Sequence, residues 1–132
     1  MRAQQTGTTG EEYAAKYLKR RGYIIIARNY AVNGGELDIV ALKHRTLVFV
    51  EVKARSSEDY GSASAAVDQR KQERLKKAKK AFLSVFGKGG RVPHYFLNIR
   101  FTHKYDKCRF DIMEVYFSNG GVKSVHIQDA FK

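Results

Sequence analysis

The chain has 132 residues, with 25 Lys and Arg against 13 Asp and Glu, a formal net charge of +12, and a single cysteine. That length suits one domain over residues 1–132, able to bury roughly two thirds of its unfolded surface. Cys108 alone can make neither an intrachain disulfide nor a cysteine-built zinc site, and no apolar run approaches the length of a membrane span, so the expected protein is cytoplasmic, with Cys108 in packing.

In chain order, residues 1–9 are polar and lack the apolar stretch of a signal peptide. Thr9 and Glu12 read as a capping box opening a first helix over 10–21, with Tyr13, Tyr17, Leu18 and the intervening alanines on its apolar face and Gly22 at its end. Residues 23–29 form a first strand, and Asn33-Gly34-Gly35 turns into the next. Strands over 36–43 and 46–55 alternate with a period of two and are joined by a hairpin centred on His44 and Arg45. His-Arg lacks the glycine or asparagine that tight hairpins prefer. A polar loop over 56–64 reads as an ordinary connection, with closure over a bound strand as the alternative. A second helix over 65–86 carries Val67, Leu75, Ala78, Phe82 and Val85 at helical spacing and ends in Gly87, Gly89 and Gly90. Three further strands are expected over 94–103, 109–117 and 122–128.

The two strands around His44 carry charge where a core strand carries none. Gly35-Glu36-Leu37-Asp38-Ile39-Val40 and Val48-Phe49-Val50-Glu51-Val52-Lys53 hold three carboxylates and a lysine inside apolar runs, and burying charge is costly unless it is paired or metal-bound. With an even loop the hairpin sets Asp38 across from Glu51 and Glu36 across from Lys53, all on one face. Facing carboxylates repel, and a divalent cation between them reverses the sign of that interaction. The competing arrangement pairs Glu36 with Lys53 and leaves Asp38 and Glu51 to backbone donors or solvent.

These residues resemble the metal-binding signature of the PD-(D/E)xK nuclease superfamily, which includes restriction endonucleases and Holliday junction resolvases. More closely, the chain resembles the YraN family of small bacterial proteins. The likeness covers nearly the whole chain: Gly10-Glu11 with Ala14 and Leu18, Gly22-Tyr23, Arg28-Asn29, the two strand motifs, Lys71-Gln72, Arg109-Phe110-Asp111 and Ala130-Phe131. It implies an α/β fold with a restriction-endonuclease-like αβββαβ core, a mixed central sheet flanked by helices and extra C-terminal strands. Most of that order also follows from periodicity.

The resemblance implies a Mg²⁺- or Mn²⁺-dependent endonuclease or exonuclease that hydrolyses phosphodiesters in DNA, in repair or recombination. Asp38, Glu51 and the backbone carbonyl of Val52 would hold the metal, and Lys53 would orient the attacking water or bind the phosphate. Glu36 would be an outer ligand or the partner of Lys53. Glu11 matches a helix-one glutamate that reaches the metal, or is simply well placed near the positive end of its helix. Lys71 and Gln72, with Arg70 and Arg74 on the same basic helix, would contact nucleic acid or form a solvated face.

Asp111 reads as a structural partner for a nearby arginine rather than a metal ligand. Tyr13, Tyr17 and Tyr30 are core residues or, less economically, platforms for unpaired bases. The four histidines show no ligand spacing. The basic excess favours nucleic acid, most simply DNA. A non-catalytic binding module on the same fold is the alternative function, an acidic protein partner a third, and a homodimer through the last strands an expected assembly.

Overall fold

The computed structural model describes residues 3–56 and 67–132. Helix α1 (Ala3–Arg20) leads into strands β1 (Ile24–Val32), β2 (Gly35–Lys43) and β3 (Thr46–Ser56); helix α2 (Gln69–Phe86) is followed by β4 (Arg91–Phe96), β5 (Ile99–Lys104), β6 (Lys107–Ser118) and β7 (Gly121–Phe131). Five strands form a mixed sheet in the order β1-β2-β3-β6-β7, antiparallel except where β3 runs parallel to β6. The fold is the mixed α/β arrangement expected of a restriction-endonuclease-like core.

Alternation along the strands sorts side chains onto two faces. Ile39, Ala41, Val48, Val50, Met113 and Val115 face α1, which meets them with Ala14, Ala15 and Leu18. Val40, Leu42, Leu47, Phe49, Phe110 and Ile112 face α2, which meets them with Leu75, Ala78 and Phe82. Burying such a side chain contributes about 1.5–3 kcal/mol, so the two seams fix both helices on the sheet.

Two glycines let the helices come close. A Cβ on Gly10 would lie 2.9 Å from that of Ala54, and one on Gly35 would run into the Arg74 carbonyl and lie 3.3 Å from the Ala78 Cβ. Gly10 thus brings α1 onto β3 one residue before Glu11, and Gly35 brings α2 onto β2 where Glu36 and Asp38 follow.

Several expectations change. Helix α1 runs straight through Thr9, so it does not begin at residue 10. Once a helix is docked, each added residue gains a hydrogen bond without repeating the cost of nucleation. Its other end is as expected: Tyr23 N–H donates to the Leu18 carbonyl and Gly22 N–H, at φ +88°, to that of Lys19, a Schellman termination. Helix α2 starts at Gln69 rather than residue 65, because Asp68 caps it, accepting from Lys71 N–H at 2.8 Å. The proposed loop lies almost wholly outside the described residues.

The strand expected over 94–103 is a hairpin. Leu97 and Asn98 both take left-handed φ, which matches the two-residue turns that strand twist favours. The resulting β4–β5 pair is a separate two-stranded sheet, so the core strand after α2 is β6. His44 and Arg45 also make a left-handed pair, at φ 50° and 65°. Arg45 is held there, its Nε 2.9 Å from Asp106 Oδ2 and its carbonyl accepting from Asp106 N–H.

Candidate active site

The β2–β3 ladder keeps the expected even register from Lys43–Thr46 to Ile39–Val50 and then stops. Asp38 and Glu51 therefore do not form a ladder pair, although their side chains still meet as expected. Instead the Asp38 carboxylate takes the place of a backbone acceptor: Val52 N–H donates to its Oδ2 at 2.9 Å. In a strand the N–H and C=O of one residue point to the same side, so the Val52 carbonyl also faces the gap that β2 leaves.

Glu51 is nine-tenths buried beside this gap. Burial first, then the charge of Glu51, pushes the Asp38 carboxyl from its ordinary 3.8 up to about 8; the Val52 N–H works against this, while a hydrogen bond shared with Glu51 and the charge of Glu11 add to it. Lys71, on the first turn of α2, brings its Nζ to 3.2 Å from Glu51 Oε2.

Glu11 arrives from the α1 side. Its carboxyl is raised by burial and by the charges of Glu36 and Glu51, against the pull of Arg28 and a hydrogen bond from Asn29. Arg28 Nη2 stands 3.9 Å from Glu11 Oε1. Asn29 makes that contact from a left-handed backbone, φ 53°, a conformation asparagine tolerates better than most residues. Glu11, Glu36, Asp38 and Glu51 therefore share one electrostatic neighbourhood, with Arg28 and Asn29 as supports. The Arg28-Asn29 pair is visible in the sequence, but only the fold assigns it to Glu11.

The remaining candidates divide. Glu36 is exposed, across from Ala31 on β1, and has no ladder position opposite Lys53. Lys53 is half-buried, two residues beyond Glu51 and so on the same face of β3. Gln72 turns back to the Val67 carbonyl at 2.8 Å, and Arg74 Nε reaches the Gly34 carbonyl at 3.4 Å, fastening α2 to the β1–β2 turn. Arg70 is exposed. Tyr13, Tyr17 and Tyr30 all pack against the two cores.

One buried acid escaped the sequence reading. Glu114 lies opposite Lys53 in the parallel β3–β6 register, accepts from Tyr116 Oη at 2.8 Å and has Arg55 Nε 3.8 Å from its Oε2. A lone carboxylate in the apolar run Ile112–Tyr116 is the same signal that exposed Asp38 and Glu51.

Asp111 behaves as its sequence context suggested. Arg109 grips it with Nε and Nη2 at 2.8 and 2.9 Å, His126 Nε2 lies 2.7 Å away, and Asp129 N–H donates at 3.0 Å. Arg109 extends the group to Tyr23 Oη at 3.0 Å. Burial works to raise the Asp111 carboxyl, but these bonds outweigh it and hold it below its ordinary range.

The donor set suits a hard divalent cation in kind: a buried carboxylate, a half-buried one and one carbonyl facing the same gap. Among the described residues no three His, Cys, Asp or Glu side chains close into a metal cage by themselves, so a metal held here would need the carbonyl or water as further ligands. Among the described residues no helix is long and apolar enough to cross a membrane.

Compared with known proteins, residues 10–115 match the model of the uncharacterised protein family UPF0102. A UPF0102 protein of Dictyoglomus thermophilum is 38% identical, the match covering 92% of this chain and 90% of that protein. Another, from Pelotomaculum thermopropionicum, is 39% identical over 95% of this chain and 93% of its own length.

Proposed function

The chain belongs to the uncharacterised UPF0102 family, the group known as YraN, and from that premise we propose that it is a metal-dependent nuclease hydrolysing phosphodiester bonds in DNA. One observation carries the reading: half-buried Asp38 and buried Glu51 meet where the β2–β3 ladder ends, and burial first, then the charge of Glu51, pushes the Asp38 carboxyl up to about 8. Such a pair burdens the fold unless a cation joins it; Lys71 meets Glu51, and a divalent cation would meet both acids.

Asp38, Glu51 and the Val52 carbonyl would hold Mg²⁺ or Mn²⁺, with Glu11 near enough to take part through water. When bound, the ion would neutralise phosphate charge and lower the pKa of a coordinated water. The chain's own residues do the rest. Val52 N–H fixes the Asp38 carboxylate in the gap. Arg28 and Asn29 hold Glu11 on the α1 side. Lys53, on the Glu51 face, would present its ammonium to the phosphate or the attacking water. Lys71 bonds Glu51 here and would turn to the phosphodiester once a stronger cation takes that carboxylate. Arg70 and the other basic residues of α2 would supply sequence-independent phosphate contacts, and repair or recombination of DNA is the role such a nuclease would serve.

The test is incubation with linear, single-stranded and branched DNA, and with RNA, in Mg²⁺, Mn²⁺ or chelator, beside Asp38→Asn. Metal-dependent cleavage that the variant loses supports the proposal. Salt-sensitive binding without cleavage under either metal would replace it with the non-catalytic binding module, which the net charge of +12 favours equally.

A further inference from the structure

Between the outer edge of β1, the end of α2 and the β4–β5 hairpin runs a groove of about 260 Å³. Its walls include Arg28, Asn29, Tyr30, Phe86, Pro93 and Tyr95. The rings are not equally occupied. Tyr30 stands edge-on to Phe82 and Phe86, with centroids 5.3 and 5.9 Å away, and forms the floor. Tyr95 is 65% exposed and Phe86 40% exposed, so two aromatic faces remain open to a flat guest.

Charge and position say which guest. Arg28 and Asn29 line the groove and also hold Glu11, so the groove adjoins the carboxylate site through shared residues. On its other flank, Phe86 and Pro93 also border a cleft with Lys88, Arg91 and Arg100. Aromatic faces rimmed by cations suit a base attached to a phosphodiester, because every base offers a π-face and every linkage an anion. A base kept in a duplex has both faces stacked on its neighbours and cannot enter.

We propose that this groove receives an unpaired nucleobase of the bound strand, stacked on Tyr95 and Phe86, which would make the substrate a nucleic acid with single-stranded or unpaired positions. The place of this groove in a reaction rests on the nuclease reading above, but base binding itself does not. Stacking residues that sequence inspection singled out, Tyr13, Tyr17 and Tyr30, are built into the cores; Tyr95 and Phe86 take that role.

The experiment measures binding in chelator, where no cleavage can occur. Fluorescence anisotropy compares a single-stranded oligonucleotide and a duplex with one bulged base against the fully paired duplex, and 2-aminopurine at the bulge reports stacking. The wild-type chain should prefer the unpaired substrates and quench 2-aminopurine. Tyr95→Ala should lower affinity for them about tenfold with little change on the paired duplex, Phe86→Ala should do likewise, and Tyr95→Phe should restore the preference. An unchanged ratio in Tyr95→Ala would overturn the proposal. So would a dimer of the wild-type chain that Tyr95→Ala dissociates, since a second copy would then cover the groove, and so would absence of binding to any oligonucleotide. Preference for the unpaired base without later metal-dependent cleavage would defeat only the nuclease reading.

Discussion

Two acid sites lie on one sheet, on strands that flank β3, and are treated in opposite ways. Asp111 on β6 receives four donor contacts, from Arg109, His126 and Asp129 N–H, and its carboxyl is held low. Asp38 on β2 receives one N–H and faces another carboxylate, and its carboxyl is driven up to about 8. Val50, next to Glu51, is the register partner of Asp111, so both sites share the same sheet. Where charge serves the fold, the fold completes its partners; at Asp38 the proposed metal would be the partner that the fold does not supply.

The largest effect that would sharpen this contrast is at the completed site. Asp111→Ala should cost about 3–5 kcal/mol, because it strands buried Arg109 and His126 without their acceptor. Urea unfolding measures it, and a loss under about 1 kcal/mol would show that the group is not structural. Gly35→Ala should cost on the order of 2 kcal/mol by forcing α2 off β2. Calorimetric titration with Mn²⁺ should also find weaker metal binding in that variant, whereas a change confined to stability would separate this contact from the site.

At the incomplete site the sign reverses. Asp38→Asn should raise the stability of the metal-free chain by roughly 1 kcal/mol, since it removes the repulsion while retaining an acceptor for Val52 N–H. A destabilised variant would mean that the Asp38 charge already has its partner in the fold.

The pH dependence follows from the same two directions. Asp38 titrates higher folded than unfolded, so between its ordinary 3.8 and about 8 the folded chain binds more protons, and its contribution to stability falls as pH rises through that window. Mg²⁺ or Mn²⁺ should therefore raise the melting temperature more at pH 8 than at pH 6. Asp111 titrates lower folded than unfolded, so its contribution is present above its ordinary range and is lost as the solution is acidified below it. Thermal scans across pH with and without metal read both arms.

The smallest stability effect is expected at the surface. Arg70→Ala should change stability by less than about 0.5 kcal/mol yet reduce the salt slope of DNA binding by about one contact. An unchanged slope would remove Arg70 from the interface.

Much of this contrast is legible before any fold is known, and the parts that are not have common causes. Asp38 and Glu51 announce themselves as acids in apolar β runs, and Asp111 stands two residues from the arginine that pairs with it. Strand pairing through His44 and Arg45 follows from alternation, because a slip of one residue would turn every apolar side chain to the wrong face. By contrast, the end of that ladder at Ile39, the left-handed Leu97-Asn98 turn and the start of α1 depend on energies smaller than the packing that decides them.

The amino-acid sequence by itself determined the αβββαβ order, the two apolar faces of the central strands, the basic surface and the identity of the paired acids, because these follow from periodicity and from the cost of buried charge. The tertiary structure alone decided that Glu11 joins those acids from the α1 side, that Lys71 rather than Arg74 reaches Glu51, and that Tyr95 rather than Tyr30 stays open. Those outcomes turn on a few ångströms of helix placement, set by close contacts such as Gly10 on Ala54 and Gly35 on α2, and distance through space is what local sequence does not encode.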